Sequence, residues 1–447
     1  MPDITDPGSE DVLAACVRAG VVQVELQFPD ITGAVKSVSI PARRLEEVLA
    51  AGEWFDGSAI EGAAREVESD MFLRPDPATF ALIDPGADVI CARLVCRVVT
   101  PDGRRYGGDS RAALESVLAG AREAGLEYLV APEVEFFLFP DGEGGLAALR
   151  DDAGTYFERS GGRSRQAEME IVHALESMGV AVQSSHHEVA TGQYEVDLPL
   201  QPALAAADAL TALKPAIKEL ARQRDMVASF MPKPLHGAAG SGMHTHQVLR
   251  HLDGRSAFVD EADPYGLSGT ARGFIAGQLE HAPGMCALVA PLVNSYKRLV
   301  PGYEAPVAGS WGRHNRSALL RVPAVAGNAP EGDNARLEFR LPDPSCNPYL
   351  AFTAMLSAGM DGVERHLDPG PPMEELEHGY RDAARVSARP LPGSLVQALA
   401  ALEADDLLVD VLGGDLLDLF LAAKRLEWAA YAMQVTPWEL DRYLRAY

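Results

Sequence analysis

The sequence predicts an α+β fold, with a small β-rich unit over residues 1–105 and a larger mixed α/β unit over residues 106–447. Three observations carry this. Between about residue 20 and residue 100 the chain reads mainly as alternating strands and turns. From Tyr106 onward, amphipathic runs of helix length alternate with strand patterns. A chain of 447 residues is also long enough to bury a large core and to form two domains.

The elements follow in order. Val21–Phe28 alternates as a strand, Pro29-Asp30-Ile31-Thr32-Gly33 is a turn, and Val35–Ile40 is a second strand. Val89–Thr100 gives another strand, closed by the turn Pro101-Asp102-Gly103. Ser110–Ala124 is helical and stops at Gly125, and Tyr128–Phe139 is a strand. Ser164–Met178 is helical up to Gly179, because glycine readily adopts the left-handed conformation that ends a helix. Val180–Leu198 reads as strand, loop, strand. Ala203–Arg224 is helical, with a kink or break expected near Pro215, which lacks a backbone donor. Leu267–Val289 contains more helix. Asn347-Pro348 supplies a cap and a first turn for a helix running to about His366. Leu391–Ala404 and Asp415–Met433 are helical, and Thr436-Pro437 opens a last short helix ending at Tyr447. The richest loops are Arg159–Gly162, Pro232–Gly242 and Pro301–Gly312, and long ordered loops tend to carry function.

Composition narrows the function classes. Lys and Arg total 39 against 64 Asp and Glu, a formal net charge of −25, so nucleic-acid binding, which needs a basic face, is not expected. No apolar run approaches a membrane span, and the acidic N-terminus lacks a signal-peptide pattern, so a cytoplasmic location without membrane association is expected. Five scattered cysteines, Cys16, Cys91, Cys96, Cys286 and Cys346, show neither zinc spacing nor a disulfide framework, which fits a reducing compartment.

Four short stretches carry ligand-type residues at alternate positions. They are Glu133-Val134-Glu135, His187-Glu188 through Tyr194-Glu195-Val196-Asp197, His244-Thr245-His246, and Arg336-Leu337-Glu338-Phe339-Arg340. Residues two apart in a strand share a face, so each stretch offers a polar face opposite a core-forming one. Carboxylates are rarely sunk into a sheet unless positive charge sits among them. Together the four stretches read as a site for divalent cations and an anionic substrate.

A longer series of segments fits one family. Phe55-Asp56-Gly57-Ser58, Pro132-Glu133-Val134-Glu135-Phe136-Phe137, His187-Glu188-Val189-Ala190, Gly192-Gln193-Tyr194-Glu195, Gly240-Ser241-Gly242-Met243-His244, Pro301-Gly302-Tyr303-Glu304, Asn315-Arg316-Ser317 and Asn347-Pro348-Tyr349 occur in this order. The series resembles the signature segments of bacterial type I glutamine synthetases, from about residue 20 to the C-terminus.

That resemblance implies a β-grasp-like N-terminal domain and a larger α/β catalytic domain with a curved antiparallel sheet. It implies ATP-dependent ligation of glutamate and an amine through γ-glutamyl phosphate. It also implies a homo-oligomer, a dodecamer of two hexameric rings, with sites between neighbouring subunits. Mg²⁺ or Mn²⁺, two or three per active site, is implied. Glu135, Glu188 and Glu195 match one metal position of the family, and Glu133, His244 and Glu338 the other. Gly240, Arg298, Glu304 and Arg340 match glutamate-binding residues, and Glu304 lies in a flap where Gly302 allows movement. His246, Arg316, Arg321 and Arg336 match ATP-binding positions. Asp56, reaching in from the next subunit, matches the acid that deprotonates the amine, with Asp70, Tyr156 and Glu188 beside it. Asp56, Glu304 and Arg316 are the expected catalytic residues. His187, His236 and His281 are expected to be structural or supporting.

Three departures from the family pattern matter, of which the first two bear on the acceptor. The family's second serine after Phe-Asp-Gly-Ser is Ala59 here, the Asn before Gly-Ser-Gly-Met-His is Ala239, and a serine two beyond the second histidine is Val248. A less polar, roomier amine pocket suits a carbon chain, which tips the expectation toward an organic primary amine such as a polyamine or ethanolamine. Ammonium, as in ordinary glutamine synthetase, is the alternative. A non-catalytic family member would have lost metal ligands or phosphate arginines, and this chain keeps them. Tyr380-Arg381-Asp382 lies where some members are adenylylated but lacks the usual flanking residues, so that control is not expected.

Overall fold

The computed structural model describes residues 8–60, 69–83, 88–142, 156–158, 162–324, 335–374 and 389–447. Helix α1 (Ser9–Ala19) precedes strands β1 (Gln23–Pro29) and β2 (Val35–Pro41), helix α2 (Leu45–Ala51), and strands β3 (Glu53–Asp56), β4 (Asp70–Pro75), β5 (Ala81–Ile83) and β6 (Cys91–Val99). There follow α3 (Ser110–Glu123), β7 (Leu126–Pro140), α4 (Gly162–Ser177), β8 (Ser184–His187), β9 (Gln193–Asp197), β10 (Gln201–Pro202), α5 (Ala203–Arg222), β11 (Met226–Ser229) and β12 (Thr245–His251). Next come α6 (Gly269–Val289), α7 (Ser295–Arg298), β13 (Trp311–Gly312), β14 (Leu320–Arg321), β15 (Leu337–Phe339) and α8 (Pro348–Glu364). Helices α9 (Leu395–Glu403), α10 (Asp406–Ala432) and α11 (Pro437–Tyr443) close the chain.

Among the described residues, the first six strands form one sheet in the order β2-β1-β6-β4-β3, with β5 on β6. Strands β1 and β6 run parallel, and the other neighbours are antiparallel. Val24, Leu26, Leu73, Leu94 and Val98 from this sheet share a core with Val12 of α1 and Leu45 and Val48 of α2. Helices α1 and α2 and strands β3 to β5 go beyond the elements expected from pattern. Most are short: α2 spans seven residues, β3 four and β5 three, too few for a periodicity to register.

The other nine strands form a second sheet, β13-β14-β15-β12-β7-β9-β8, with β10 and β11 also pairing to β7. Only the short β13–β14 pair among them is parallel. The 15-residue β7 is the spine. Its residues Tyr128, Val130, Val134, Phe136 and Leu138 point into the larger core, with residues of α3, α5, α6 and α8. The alternate face therefore presents Glu133 and Glu135 on the other side.

Helix α5 runs unbroken through Pro215, so the expected break is absent. A proline inside a helix costs roughly 3 kcal/mol. Burial of Leu210 and Leu213 on one side of it, and of Ile217 and Ala221 on the other, pins both halves to the core. Helix α10 starts before the expected Asp415, but Gly413 has φ 71° and ψ 165°, so two helical pieces meet there and the expected helix is the second. The loop at residues 159–161 and the Tyr380-Arg381-Asp382 segment lie outside the described residues.

The two sheets are joined by buried polar contacts. Asn347 donates from Nδ2 to Asp30 O (3.3 Å) and Ser110 Oγ (3.1 Å). Arg111 donates to Asp208 through Nε and Nη2 and to Asp76 through Nη2, tying α3, α5 and the segment after β4 together.

Candidate active site

Strand register assembles the site. Across the β7–β9 pair, Glu133 faces Asp197 and Glu135 faces Glu195, so four acids form a square on one face of the sheet. On the other flank of β7, Glu133 N donates to His244 O (2.8 Å) and Glu135 N to Gly242 O (3.1 Å). His246 then pairs with Glu338 across β12–β15, and Arg321 with Glu338 across β14–β15. All four alternate-position stretches thus lie on neighbouring strands and open into one cleft of about 910 Å³.

The cleft is lined by seven carboxylates, Glu133, Glu135, Glu188, Glu195, Asp197, Glu304 and Glu338, against five arginines, Arg298, Arg313, Arg316, Arg321 and Arg340. Two of the arginines converge on Glu338. Glu338 is buried and takes hydrogen bonds from Arg321 Nη1 (2.7 Å) and Arg340 Nη1. Burial pulls its pKa up, but Arg340, His244 and His246 outweigh that and hold it below the usual carboxylate range. Burial would likewise raise Glu133, yet hydrogen bonds from His244 and His246 leave it strongly lowered. His246 Nε2 lies 2.9 Å from Glu133 Oε1. Among the described residues, Glu135, Glu188 and Glu195 show no cationic hydrogen-bond donor, although the charges of Arg298 and Arg340 act on Glu135. Burial, followed by the charge of Glu188, pushes Glu135 up to about 8. Burial also raises Glu188 and carries Glu195 well above its ordinary value, with Glu135 and Glu133 adding to the latter. This unbalanced group of acids favours cations.

Donor geometry fits hard divalent ions. Ligand atoms of Glu133, His244 and Glu338 lie within 4.8 Å of one another, as do those of His186, Glu188 and Glu195, and those of Glu133, Glu195 and Asp197. Carboxylate oxygen with one imidazole is the donor chemistry Mg²⁺ or Mn²⁺ accepts. Buried Asp197 Oδ1 and His186 Nδ1 have no hydrogen-bond partner, as expected of atoms kept for a ligand. Glu135 stands beside these groups but is engaged by Gln193, whose Nε2 donates to Glu135 Oε2 (2.8 Å) and to Gly240 O (3.1 Å).

Arg298 is buried behind the Gly240–Gly242 turn, donating to Leu341 O (2.9 Å) and Arg340 O (3.0 Å). A Cβ at Gly242 would lie 2.5 Å from Arg298 Nη2 and 3.1 Å from His244 Nε2, so glycine is what lets the chain pass this close. The flap carries Gly302 at φ 92° and Glu304 at φ 56°. Glu304 is exposed and pairs with Arg316 at 3.2 Å, while Lys233 Nζ sits 3.6 Å above the Tyr303 ring. Tyr156 and Phe157 form an aromatic edge with His186, their rings 4.1 Å apart and Phe157 4.5 Å from the imidazole.

Several expected site residues fall outside the cleft lining, although His246 stands directly behind Glu133. Asp56, Ala59, Asp70, His246 and Arg336 do not line this cleft. Asp56 faces Asp70 across β3–β4, and its Oδ1 accepts from Ser58 N (3.1 Å) and Ser69 N (3.3 Å). Asp70 accepts from Trp54 Nε1 (2.8 Å). His187 Nδ1 is 2.6 Å from Glu188 O, His236 is exposed, and His281 bridges Asp361 and Asp405 away from the cleft. Sequence reasoning passed over His186, Gln193, Arg313 and His314. The first was within reach, since it stands two residues before Glu188 and so shares its face.

Comparison with known proteins agrees with this arrangement. Residues 20–101 match the family model "Glutamine synthetase, beta-Grasp domain", and residues 107–443 match "Glutamine synthetase, catalytic domain". The chain is 45% identical to glutamine synthetase of Halobacterium salinarum over 436 residues, covering 96% of this chain and 94% of that one. It is 44% identical to glutamine synthetase of Thermus thermophilus over 447 residues, covering 98% and 99%. A solved structure described as "GmaS/ADP complex-Conformation 1" superposes with a TM-score of 0.87 at 32% identity, covering 97% of this chain and 99% of that one. The chain therefore belongs to the glutamine synthetase family of ATP-dependent ligases, with a β-grasp domain ahead of the family's catalytic domain.

Proposed function

We propose that this chain ligates glutamate to an organic primary amine, by way of γ-glutamyl phosphate, within a cytoplasmic homo-oligomer. The observation that carries the ligase chemistry is one cleft that gathers seven carboxylates and five arginines. Arg298 and Arg340 bind the glutamate carboxylates, and Arg316 and Arg321 bind the ATP phosphates. A γ-carboxylate oxygen of glutamate attacks the γ-phosphorus, the bond to the bridging oxygen breaks, and ADP leaves. The amine nitrogen then attacks the acyl carbon, the carbon–oxygen bond to phosphate breaks, and the amine proton passes to a carboxylate, Asp56 of a neighbouring subunit. Glu304 and Tyr303 close over the acyl phosphate and exclude water. Glu133, His244 and Glu338 would hold one divalent ion and Glu188, Glu195 and Glu135 a second, with His186 and Asp197 within reach. Such ions, when bound, offset the charge of the phosphates.

Support for an organic acceptor comes from the mouth of the cleft. Tyr156, Phe157, Val189 and Ala239 give it an apolar edge beside Glu188 and Glu195, which suits an alkyl chain ending in a protonated amine. A second reading, ammonium, is favoured by the relatives at 44–45% identity, which are named glutamine synthetase. Phosphate release with ATP, Mg²⁺ and glutamate separates the two, comparing ammonium with putrescine, spermidine, ethanolamine and alkylamines. The amide product is identified by mass spectrometry. Product with an organic amine in preference to ammonium is expected. Turnover with ammonium alone would replace this reading with the second, and no glutamate-dependent turnover would overturn both.

A further inference from the structure

We propose that Glu374 is a positioning residue, latching the turn at residues 313–316 so that Arg316 and Arg321 are aimed at the nucleotide phosphates. This rests on the ligase reading above, which makes those arginines phosphate ligands. Glu374 itself does not line the cleft. Its two carboxylate oxygens both accept from Arg313 N at 3.0 Å. Oε2 also accepts from His314 N (2.9 Å), and Oε1 from the Tyr265 hydroxyl (2.7 Å). One carboxylate thus gathers two successive backbone N–H groups and a phenol, and hydrogen bonds to a charged acceptor are the strong kind.

The surroundings reinforce the latch. Met373 N donates to Trp311 O (2.7 Å) and Trp311 Nε1 to Gly370 O (3.1 Å), so the segment after α8 runs along the cleft wall. A Cβ on Gly312 would meet Met373 O at 2.6 Å, so only glycine allows this approach. Arg313 closes the far side, its guanidinium 4.8 Å from the Tyr265 ring centre and its Nη2 donating to Tyr265 O (3.0 Å). Arg321 Nε donates in turn to Arg313 O (3.3 Å). Arg316 is exposed and, among the described residues, pairs with Glu304, so the backbone of the turn sets where its guanidinium can reach.

The test compares Glu374→Ala, Glu374→Gln and Tyr265→Phe in the whole enzyme. Gln keeps one oxygen for the two amides and can donate its NH₂ to the Tyr265 hydroxyl. Phe removes one of the hydrogen bonds and keeps the ring under Arg313. Glu374→Ala is expected to raise KM for ATP about tenfold, leave KM for glutamate within about twofold, and accelerate hydrogen exchange of the Arg313 and His314 amides. Gln should recover most of the loss, and Phe should show a smaller rise. Equal rises in both KM values, faster exchange with an unchanged KM for ATP, or a Gln variant no better than Ala would each overturn the role. Unaltered amide exchange would overturn the latch itself, whatever the reaction. Wild-type enzyme that fails to consume ATP would overturn the ligase reading instead, and with it the target assigned to the latch.

Discussion

Glu135, Glu188 and Glu195 sit where burial and mutual repulsion favour the protonated form, whereas Glu133 and Glu338 are held ionised by histidines and arginines. The sign of the consequence follows. A group whose pKa is pushed up to about 8, as for Glu135, is mostly neutral at pH 7. A divalent cation needs the carboxylate, so loading the site must expel protons. Titration calorimetry with Mg²⁺ or Mn²⁺ in buffers of different ionisation enthalpy should show net proton release near neutrality. Apparent affinity should climb as pH rises toward about 8 and then level off. Heats that do not depend on the buffer would contradict the assignment of these acids as ligands. Most of this cluster was legible from spacing alone, because residues two apart in a strand must share a face. Gln193 and Glu374 were not. Gln193 contacts Glu135 across 58 positions of sequence, and Glu374 contacts Arg313 across 61, so only the fold brings them together.

Helices α6 and α8 show the same limit at the next scale. Their existence was readable from the helical stretch Leu267–Val289, which holds the 21 residues of α6, and from the Asn347-Pro348 cap of α8. Their contact was not, because it depends on glycines that no periodicity marks. A Cβ on Gly277 would lie 2.0 Å from Ala358 O, and one on Gly362 would lie 2.1 Å from Gly273 O. The opposing atoms are backbone, so the helices themselves would have to separate. Gly277→Ala should destabilise the protein by about 1–3 kcal/mol or more, as overpacked cores do. Gly120→Ala is the control. Gly120 is an exposed residue in α3 with nothing within 4 Å of a built Cβ, and there alanine should stabilise by roughly 0.5–1 kcal/mol. Urea unfolding midpoints shifting in opposite directions would bear this out. Midpoints moving together would show that α6 and α8 can separate at little cost. The short elements α2, β3 and β5 escaped prediction for a different reason, since tertiary pairing supplies what a few residues cannot encode locally.

At the scale of the whole molecule, the cleft and the acids proposed to handle the amine belong to different parts of one chain. Asp56, Ala59 and Asp70 lie on and beside β3 and β4 of the β-grasp domain, and none of them lines the cleft formed by β7, β9, β12 and β15. If each cleft is completed by Asp56 of a neighbouring subunit, two separately dead variants should repair each other. Glu133→Gln spoils the cleft and leaves Asp56 intact, while Asp56→Asn leaves the cleft intact and spoils the donated acid. In a randomly mixed ring, a working site needs an Asp56→Asn subunit supplying the cleft and a Glu133→Gln neighbour supplying Asp56. Chance places that pair at about one site in four, so co-expression in equal amounts should restore about a quarter of wild-type activity. Mixing the purified variants without subunit exchange should restore none. If Asp56 served the cleft of its own chain, every mixed site would carry one of the two lesions and co-expression would recover nothing. The outcome therefore decides between a site complete within one chain and one that exists only in the assembly.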